Sequence, residues 1–416
     1  MNYVIIGNGV AGITSAFALR KRDGAARISV VSGESDYFFS RTALMYAFMD
    51  RMNLRDLEPF ERKDYDAKRI ERVRGWVTNL DASAHNLTLA DGRQIAYDRL
   101  LLATGSFPNQ AAWPGLEYVS SGVVNFVSLQ DLEVCERLVP STHRAVVAGG
   151  GLIGVELVEC LAHHGVKVDF LVRESWYWPM ALAKEEGELI AAHLRGHGIR
   201  LHLDDEIAEV SAGADGRVSK VRTSQGKDLP CQLLGICIGV RPAIDWLPGV
   251  KTPPALGRGI LVTNDFRASL PDVWAAGDCA ELPNAQVEQI WYSAQRQGEL
   301  AAQSMLGDAV DYRPPLFYNS AKFFDIEYTT VGVAGPESFF YRFPGREISL
   351  RIMHRDSAVV GFNMLGSRWN HTWFERWILE RRSLKEVMSQ LHLSQFDVEF
   401  GRIPLDGARA AFQAAS

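Results

Sequence analysis

The sequence contains few cysteines, and none of them lies at the spacing of a redox-active pair. The five are Cys135, Cys160, Cys231, Cys237 and Cys279, and no C-x-x-C or C-x-x-x-x-C motif occurs. An odd number of scattered cysteines is typical of reduced thiols in a cytoplasmic protein. We therefore predict no disulfide framework, and we predict no metal site.

Long apolar runs and an excess of positive charge are also lacking. No run is long enough to span a bilayer, and the apolar residues 4–19 are interrupted by three glycines and follow no basic segment. The formal net charge is −6, whereas a general nucleic-acid binder usually carries a basic surface. These absences predict a cytoplasmic protein without a targeting peptide, a membrane span or a nucleic-acid partner.

A glycine motif between a strand and a helix opens the chain. Residues 3–6 are an apolar run, Gly7, Gly9 and Gly12 follow as G-x-G-x-x-G, and residues 11–20 carry apolar side chains at helical spacing. Glycines here permit a sharp turn, the approach of a pyrophosphate to the backbone, and close packing of the helix on the strand. The helix N-terminus faces the phosphates with free N–H groups and its positive dipole end, so the motif predicts a dinucleotide site.

The same pattern returns about 140 residues later in the chain. A strand at residues 144–148 precedes Gly149, Gly151 and Gly154, and a helix and a further strand follow. Two such units in one chain predict two separate nucleotide sites. One dinucleotide would be a tightly held flavin, and the other would be an exchangeable nicotinamide.

Three further motifs complete an ordered series with the two glycine triads: Ala103-Thr104-Gly105, Gly239-Val240-Arg241-Pro242 and Gly277-Asp278. This series resembles the pyridine nucleotide–disulfide oxidoreductase superfamily, closely over residues 1–310 and more loosely beyond. It is most similar to the branch that contains the ferredoxin and rubredoxin reductases and the NADH oxidases. The resemblance implies an enzyme that uses FAD together with NADH or NADPH.

The resemblance also implies the fold class, which is α/β with two Rossmann-like three-layer dinucleotide-binding domains and a C-terminal α+β capping or dimerisation domain. We expect an FAD-binding domain in two parts, residues 1–110 and 251–315. The NAD(P)H-binding domain would cover residues 111–250, and the C-terminal interface domain would cover residues 316–416. A homodimer through this last domain is left open.

Cofactor-binding residues are carried over from the resemblance position by position. On the FAD side they are Gly7, Gly9, Val10, Ala11, Gly12, Ser32, Glu34, Arg41, Ala103, Thr104, Gly105, Gly277, Asp278, Trp291 and Tyr292. On the nicotinamide side they are Gly149, Gly151, Leu152, Ile153, Gly154, Arg173 and Glu174. Val77 and Gly239 are also expected to bind a cofactor and are not assigned to either coenzyme.

Several of these positions imply a distinct role. Glu34 or the backbone near Ser32 would meet the adenosine ribose, Arg41 would reach the FAD phosphates, and Asp278 would accept a hydrogen bond from the ribityl chain or is simply a turn acid. The helix that begins at Trp291 and Tyr292 would direct its positive end at the flavin pyrimidine edge, although both side chains could be core aromatics.

On the nicotinamide side the resemblance leaves two choices open. Glu156 resembles an acid near the nicotinamide and is a candidate catalytic residue, with an exposed helical carboxylate as the alternative. At the end of the following strand, Arg173 favours NADPH and Glu174 favours NADH.

The sequence departs from the family pattern beside the flavin. The disulfide reductases carry C-x-x-x-x-C on a helix there, and related enzymes carry a single cysteine, but residues 37–46, which we expect to begin a second helix, contain none. No protein thiolate is then available at the flavin. Tyr46 stands near the position where the ferredoxin-reductase branch often has a lysine, which makes it the second candidate catalytic residue.

These features predict hydride transfer from NAD(P)H to FAD and electron transfer to an external acceptor, a small acidic iron–sulfur protein such as a ferredoxin or rubredoxin. The basic residues of segment 51–74 would dock this partner, or they form an ordinary solvated surface: Arg62, Lys63, Lys68, Arg69, Arg72 and Arg74. One alternative is an NAD(P)H oxidase or quinone reductase. Another is a redox-sensing or complex-forming flavoprotein, suggested by four aromatics for which core or homodimer contacts are the favoured interpretation: Trp369, Trp373, Phe374 and Trp377.

Overall fold

A computed structural model of the protein describes residues 1–399 and 401–415. The chain divides into two compact units, each assembled from three segments. The first unit contains Met1–Ala111, Val124–Pro140 and Ile238–Arg313, and the second contains Ala112–Val123, Ser141–Cys237 and Pro314–Ser416. The four-part domain division expected from the sequence stays a prediction.

The first unit is built on a five-stranded parallel sheet. Its strands, in spatial order, are Val273–Ala275, Arg99–Leu102, Asn2–Ile6, Arg27–Ser32 and Ile70–Arg74. The central strands are almost continuously apolar and buried, as expected for a parallel sheet that is covered on both faces. Their carboxyl ends lie at one edge of the sheet, where the predicted glycine motifs also occur.

The remaining elements of the first unit surround this sheet. The helices are Val10–Arg22, Leu44–Phe48, Arg62–Ala67, Leu129–Leu138 and Trp291–Met305, with 3-10 turns at Arg41–Ala43, Leu54–Leu57 and Leu247–Gly249. A three-stranded antiparallel sheet contains Val77–Asp81, Asn86–Leu89 and Gln94–Ala96. Two strand pairs complete the unit, Ser106–Pro108 with Val240–Pro242 and Ile260–Leu261 with Ala280–Glu281.

The second unit repeats the parallel arrangement. The strands Arg200–Leu203, Lys167–Val172, Arg144–Ala148 and Leu233–Ile236 are neighbours in that order, and the short strand Val123–Val124 forms the edge. The helices of this part are Leu152–His163 and Lys184–Gly196, and a 3-10 turn covers Leu116–Tyr118. An antiparallel sheet follows, with strands Ile207–Ala212, Val218–Thr223 and Asp228–Pro230.

The C-terminal part of the second unit is a five-stranded antiparallel sheet. Its spatial order is Tyr318–Phe323, Ile326–Gly332, Ala358–Leu365, Ser349–Arg355 and Glu337–Arg342. The helices His371–Leu379, Leu384–Gln390 and Asp406–Ala415 follow in the chain, with a 3-10 turn at Leu391–Ser394. Trp369, Phe374 and Trp377 are buried in the core between sheet and helices, so they are core residues rather than a partner surface.

Arg351 joins the C-terminal sheet to the nucleotide-binding part of the second unit. Its Nη2 lies 2.9 Å from Oε2 of Glu185, and its Nε lies 3.1 Å from Oε1 of Glu186. Glu186 is fully buried at the start of Lys184–Gly196, and burial raises the pKa of its carboxyl. A buried carboxylate beside a buried guanidinium makes this an internal ion pair.

One sequence expectation about local structure, the start of the second helix, differs from the structure. Residues 37–40 are not helical, because Phe38 and Phe39 are buried and the Phe38 N–H donates to the Tyr65 hydroxyl at 3.0 Å. Helical structure begins only at Arg41.

All five cysteines are buried. Within the described residues, no helix is both long and apolar enough to cross a membrane.

The two glycine helices pack unusually close to the strands that precede them. A Cβ on Gly12 would lie 2.0 Å from the Gly7 carbonyl oxygen, and a Cβ on Gly154 would lie 2.0 Å from that of Gly149. Neither contact is sterically possible, and the atom to be displaced is backbone in both cases. The third glycine of each motif is therefore required for packing, independently of any ligand.

We expect Gly12→Ala to destabilise the apoprotein by about 1–3 kcal/mol, the usual cost of overpacking a rigid interior. Thermal or urea unfolding of the flavin-free chain measures the change. Gly24→Ala is the control, because no described atom lies within 4 Å of its Cβ position. Equal stability of the two variants would show that the helix can retreat without cost.

Candidate functional site

The first glycine loop leaves its strand through a backbone conformation that favours glycine. Gly7 has a φ of +111°, and its N–H donates to the Val31 carbonyl at 2.8 Å. A Cβ at Gly7 would lie 2.0 Å from the Ala103 carbonyl oxygen, so the loop after Leu102 runs directly beside it. The loops that follow two neighbouring parallel strands thus meet at this edge of the sheet.

Gly9 begins the helix Val10–Arg22 without a side chain that could cap it. In the described part of the chain, no atom outside its immediate neighbours lies within 4 Å of its Cβ position. The first N–H groups of the helix therefore have no side-chain cap and lie beside this open space. This cradle fits a pyrophosphate, which binds to exposed N–H groups at a helix N-terminus.

Gly277 lies between the first turns of two helices. A Cβ there would lie 3.0 Å from Cβ of Ala11 and 3.7 Å from Cβ of Ala294, and the backbone has a φ of +80°. The Gly277 N–H donates to Oε1 of the fully buried Gln297 at 2.8 Å. Asp278 is therefore presented close to the N-termini of both Val10–Arg22 and Trp291–Met305.

The Asp278 carboxylate is held from the neighbouring loop. Oγ of Ser106 donates to its Oδ2 at 2.8 Å. Burial raises the pKa of Asp278, whereas the hydrogen bond from Ser106 and the charge of Arg41 act in the opposite direction. Thr104 and Gly105 precede Ser106, and Gly105 has a φ of +74° with open space around its Cβ position.

Ser106 and Gln297 are site residues that the sequence reasoning missed. Ser106 directly follows Ala103-Thr104-Gly105, so its place after a buried strand was the available signal. Gln297 had no signal, because it reaches Gly277 from a helix that begins more than ten residues later in the chain.

Glu34 and Arg41, which were expected to contact the cofactor separately, bind one another. The Arg41 Nη1 donates to Oε1 of Glu34 at 2.9 Å and to the Val127 carbonyl at 2.6 Å. The Leu129 N–H also donates to Oε1 of Glu34, at 3.3 Å. Ser32 accepts backbone hydrogen bonds from Glu34 and Ser35. The structure brings these residues together at the end of Arg27–Ser32.

The helix Trp291–Met305 begins at an apolar residue, Ile290, which offers no side-chain cap. Trp291 is half-buried and Tyr292 is 45% exposed, so neither ring belongs to the core. A Cβ on Gly298 would lie 2.2 Å from the Ala11 carbonyl oxygen, which shows how closely this helix packs on Val10–Arg22. Its N-terminal end carries the positive dipole and is free to face a ligand.

The surroundings of the first site contain no accessible thiol among the described residues. Cys279 is fully buried, its Sγ donates to the Leu102 carbonyl at 3.3 Å, and burial raises the pKa of the thiol. Tyr46 is half-buried in Leu44–Phe48, and Val77 begins the strand that pairs with Leu89. Their contacts with a cofactor stay a prediction.

The second glycine loop repeats the geometry of the first. Gly149 has a φ of +113°, and Gly151 has φ −84° and ψ −174°, compared with −81° and −175° at Gly9. Gly151 likewise has open space around its Cβ position within the described chain. The first residues of the helix, Leu152 and Ile153, are half-buried, so this N-terminus too is accessible to a phosphate.

Glu156 lies on the second turn of this helix in an environment that opposes its ionisation. The residue is partly exposed, but desolvation of its carboxyl together with the charge of Glu159 raises its pKa to about 8. The fully buried Tyr177 is close enough for the Glu156 charge to raise its pKa further. Glu156 is thus not the ordinary exposed carboxylate of the alternative reading, and Glu159 and Tyr177 are neighbours that the sequence did not reveal.

Arg173 and Glu174 follow the strand Lys167–Val172 as expected and form an ion pair of 3.1 Å. The Arg173 side chain is 75% exposed and the Glu174 side chain 35% exposed, so both remain accessible to a ribose. Gly239 belongs to the first unit, where its carbonyl accepts the Asn109 N–H at 3.0 Å.

Most positive charges of segment 62–74 are already engaged. Arg62 pairs with Glu58 at 2.7 Å, Arg72 pairs with Asp66 at 3.0 Å, and Lys68 lies over the Phe17 ring. Arg69 donates to a backbone carbonyl. The two ion pairs reduce the charge that would steer an acidic partner, whereas the contacts of Lys68 and Arg69 leave their charges in place, so only part of the positive charge of this segment is neutralised.

Comparison with known proteins identifies the family. Residues 1–298 match the model of the pyridine nucleotide-disulphide oxidoreductase family. The chain is 31% identical over 309 residues to the chlorobenzene dioxygenase ferredoxin reductase component of Cupriavidus sp. (strain PS12), covering 73% of this chain and 74% of that protein. It is 26% identical to the rubredoxin-NAD(+) reductase of Pseudomonas putida, covering 77% and 84%.

Solved structures show the same fold. The reductase in the covalent putidaredoxin reductase–putidaredoxin complex has a TM-score of 0.82 at 22% identity, with 99% of each chain covered. The ferredoxin reductase of the CYP199A2 system from Rhodopseudomonas palustris has a TM-score of 0.83 at 23% identity, with 98% and 99% covered.

These findings confirm the predicted α/β fold class, the oxidoreductase class and the use of FAD and a nicotinamide as coenzymes. The roles of individual site residues stay predictions. With two glycine loops of matching geometry and a family model that covers most of its length, the chain belongs to the pyridine nucleotide–disulphide oxidoreductase family.

Proposed function

We propose that this chain is an FAD-dependent reductase that oxidises NADH or NADPH and supplies electrons to a small iron–sulfur protein, such as a ferredoxin or rubredoxin. The main support for this kind of acceptor is that the segment Arg41–Phe48 contains no cysteine and that Cys279 is buried. A disulfide or thiol acceptor would require a thiolate of the protein, and the accessible thiolate is missing from the described residues around the first site. The names of the relatives, which include ferredoxin and rubredoxin reductases, point in the same direction.

We assign the FAD to the first unit. The N–H groups after Gly9 would hold its pyrophosphate, and Asp278, fixed by Ser106, would accept a hydrogen bond from its ribityl chain. The paired Glu34 and Arg41 would border the adenosine end, with one charge for a ribose hydroxyl and one for phosphate. When bound, FAD supplies the chemistry that converts a two-electron hydride donor into a source of single electrons.

The chain itself contributes orientation and electrostatics. The uncapped N-terminus of Trp291–Met305 would place a positive dipole end beside the flavin edge that becomes negative on reduction. In the second unit, the N–H groups after Gly151 would hold the nicotinamide coenzyme by its pyrophosphate. Arg173 would favour the phosphate of NADPH, and Glu174 would favour the ribose hydroxyl of NADH. Because the two side chains form an ion pair with each other, both coenzymes remain candidates.

Glu156 would lie near the nicotinamide ring, as the family resemblance implies. A carboxyl with a pKa of about 8 is mostly neutral at pH 7. At that pH it would therefore not favour the positively charged oxidised ring over the uncharged reduced ring. Once ionised, it would attract the positively charged oxidised ring. This residue would therefore couple coenzyme release to pH.

We also place the protein in the cytoplasm, because five buried thiols in an oxidising compartment would be an unusual composition. Direct reduction of oxygen or a quinone is the competing function, and the acceptor experiment below distinguishes it.

We expect NADH-reduced enzyme to be reoxidised by a ferredoxin or rubredoxin at least about tenfold faster than by oxygen, since a docked partner is held next to the donor. Stopped-flow absorbance at the flavin band measures both rates. Cys279→Ala should leave them unchanged, because this thiol is not used. Reoxidation by oxygen or a quinone at the higher rate would replace the iron–sulfur acceptor with a small molecule.

We expect Gly9→Ala and Gly151→Ala each to weaken the binding of a different coenzyme. Both glycines have extended backbone that alanine adopts readily, so a methyl group would intrude only on the phosphate. Losing charge-assisted hydrogen bonds costs about tenfold or more in affinity. Gly9→Ala should therefore lose FAD on dilution, whereas Gly151→Ala should keep FAD and show a raised KM for NADH. The same pattern in both variants would contradict the assignment.

We expect inhibition by oxidised nicotinamide to strengthen by about tenfold as pH rises from 7 to 9, because Glu156 ionises with a pKa of about 8. Glu156→Gln should abolish this dependence. Glu188→Gln, an exposed carboxylate on Lys184–Gly196, is the matched control and should retain it. A pH profile that survives in Glu156→Gln would remove Glu156 from the nicotinamide site.

A further inference from the structure

Two histidines lie one turn apart at the end of the helix Lys184–Gly196. His193 is on the last turn, and His197 is the residue that closes the helix. Side chains four residues apart lie on the same face of a helix, and here the two rings lie 4.4 Å apart between centroids. Both face the turn between Tyr318–Phe323 and Ile326–Gly332, which carries Asp325 in the same unit.

The three side chains converge on a single point. The Nε2 atom of His193 lies 2.7 Å from Oδ1 of Asp325, and the Nε2 atom of His197 lies 3.8 Å from the same oxygen. One donor atom from each of the three residues lies within 4.8 Å of the others. Donor atoms bound to a tetrahedral zinc ion are about 3.3 Å apart, so a small movement of the exposed Asp325 would bring the set to that spacing.

His193 is the buried member of the cluster. Its side chain is only 5% exposed. Although Asp325 is close, the Nε2 atom makes no hydrogen bond of acceptable geometry within the described residues. A buried ring nitrogen that faces a carboxylate without a hydrogen bond has an unmet requirement for a partner.

The other nitrogen of each ring is already engaged. The Nδ1 atom of His193 lies 2.8 Å from Oε2 of Glu347, and the Nδ1 atom of His197 lies 3.1 Å from the His193 carbonyl oxygen. An Nδ1–H that donates to an oxygen leaves the lone pair on Nε2. Both Nε2 lone pairs would then face Asp325, and Glu347 would act as the carboxylate that orients a metal-bound histidine.

We propose that His193, His197 and Asp325 bind a divalent first-row transition-metal ion, with Glu347 orienting His193. Two imidazoles and one carboxylate favour such ions over Mg²⁺ or Ca²⁺, which prefer oxygen ligands. Three protein ligands leave a coordination position for water. The competing explanation is a network of ion pairs and hydrogen bonds among these four side chains, which needs no ion.

A bound ion would join two parts of the second unit. It would connect the helix Lys184–Gly196 to the first hairpin of the C-terminal sheet, through residues separated by more than a hundred positions in the chain. Because such a site forms only when both elements are folded, the ion would stabilise this unit against unfolding. The role of the ion would be structural, and it would take no part in the chemistry at the two glycine loops.

The test uses the full-length, FAD-loaded protein after removal of any polyhistidine tag and treatment with a chelator. We expect isothermal titration calorimetry with Zn²⁺ to give one site per chain, with no comparable heat for Mg²⁺. Zn²⁺ should also raise the midpoint of thermal unfolding. His197→Ala and Asp325→Asn should each weaken Zn²⁺ binding by about tenfold to a hundredfold, and these exposed residues can be changed without disturbing the core.

His163→Ala is the control, because this exposed histidine in the same unit lies outside the cluster, and it should bind Zn²⁺ as the unchanged protein does. NADH-dependent flavin reduction should be the same in the His197→Ala protein, which separates this site from the proposed catalytic function. Absence of Zn²⁺ binding, or binding in His197→Ala and Asp325→Asn that is as tight as in the unchanged protein, would overturn the proposal and leave the ion-pair network as the explanation.

Discussion

One close backbone contact in each nucleotide-binding part is the constraint on which the other features depend. At Gly12 and at Gly154, the helix approaches the preceding loop so closely that no side chain fits. This contact positions the helix axis, and the axis in turn directs the uncapped N-terminus past Gly9 and Gly151. The ligand site is therefore a consequence of how a helix packs on its strand.

Local patterns explain what the sequence could predict. The glycine motifs, the buried strands and the family follow from short stretches whose geometry is set by neighbours in the chain. The matching backbone angles at Gly9 and Gly151 show how strongly such a motif determines its own conformation. The expected early start of the second helix was wrong because the burial of Phe38 and Phe39 overrode local spacing.

Long-range contacts explain what the sequence could not predict. Glu34 and Arg41 were each expected at the cofactor, but nothing in their spacing showed that they pair with one another. Gln297 reaches Gly277, and Asp325 reaches His193, across separations that no periodicity describes. Cys279 directly follows Asp278, and the structure shows that its thiol is fully buried.

The ion pair of Arg351 with Glu186 has a consequence for how this protein can be divided. Glu186 has no access to solvent, and its countercharge comes from a strand of the C-terminal sheet. A chain that ends before that sheet would lose both this arginine and Tyr328, which also lies close to Glu186, so a surface of the helix Lys184–Gly196 that is buried in the whole chain would face water. The last hundred residues are thus not a detachable module, and recombining this part with another reductase would require a matching arginine at the graft.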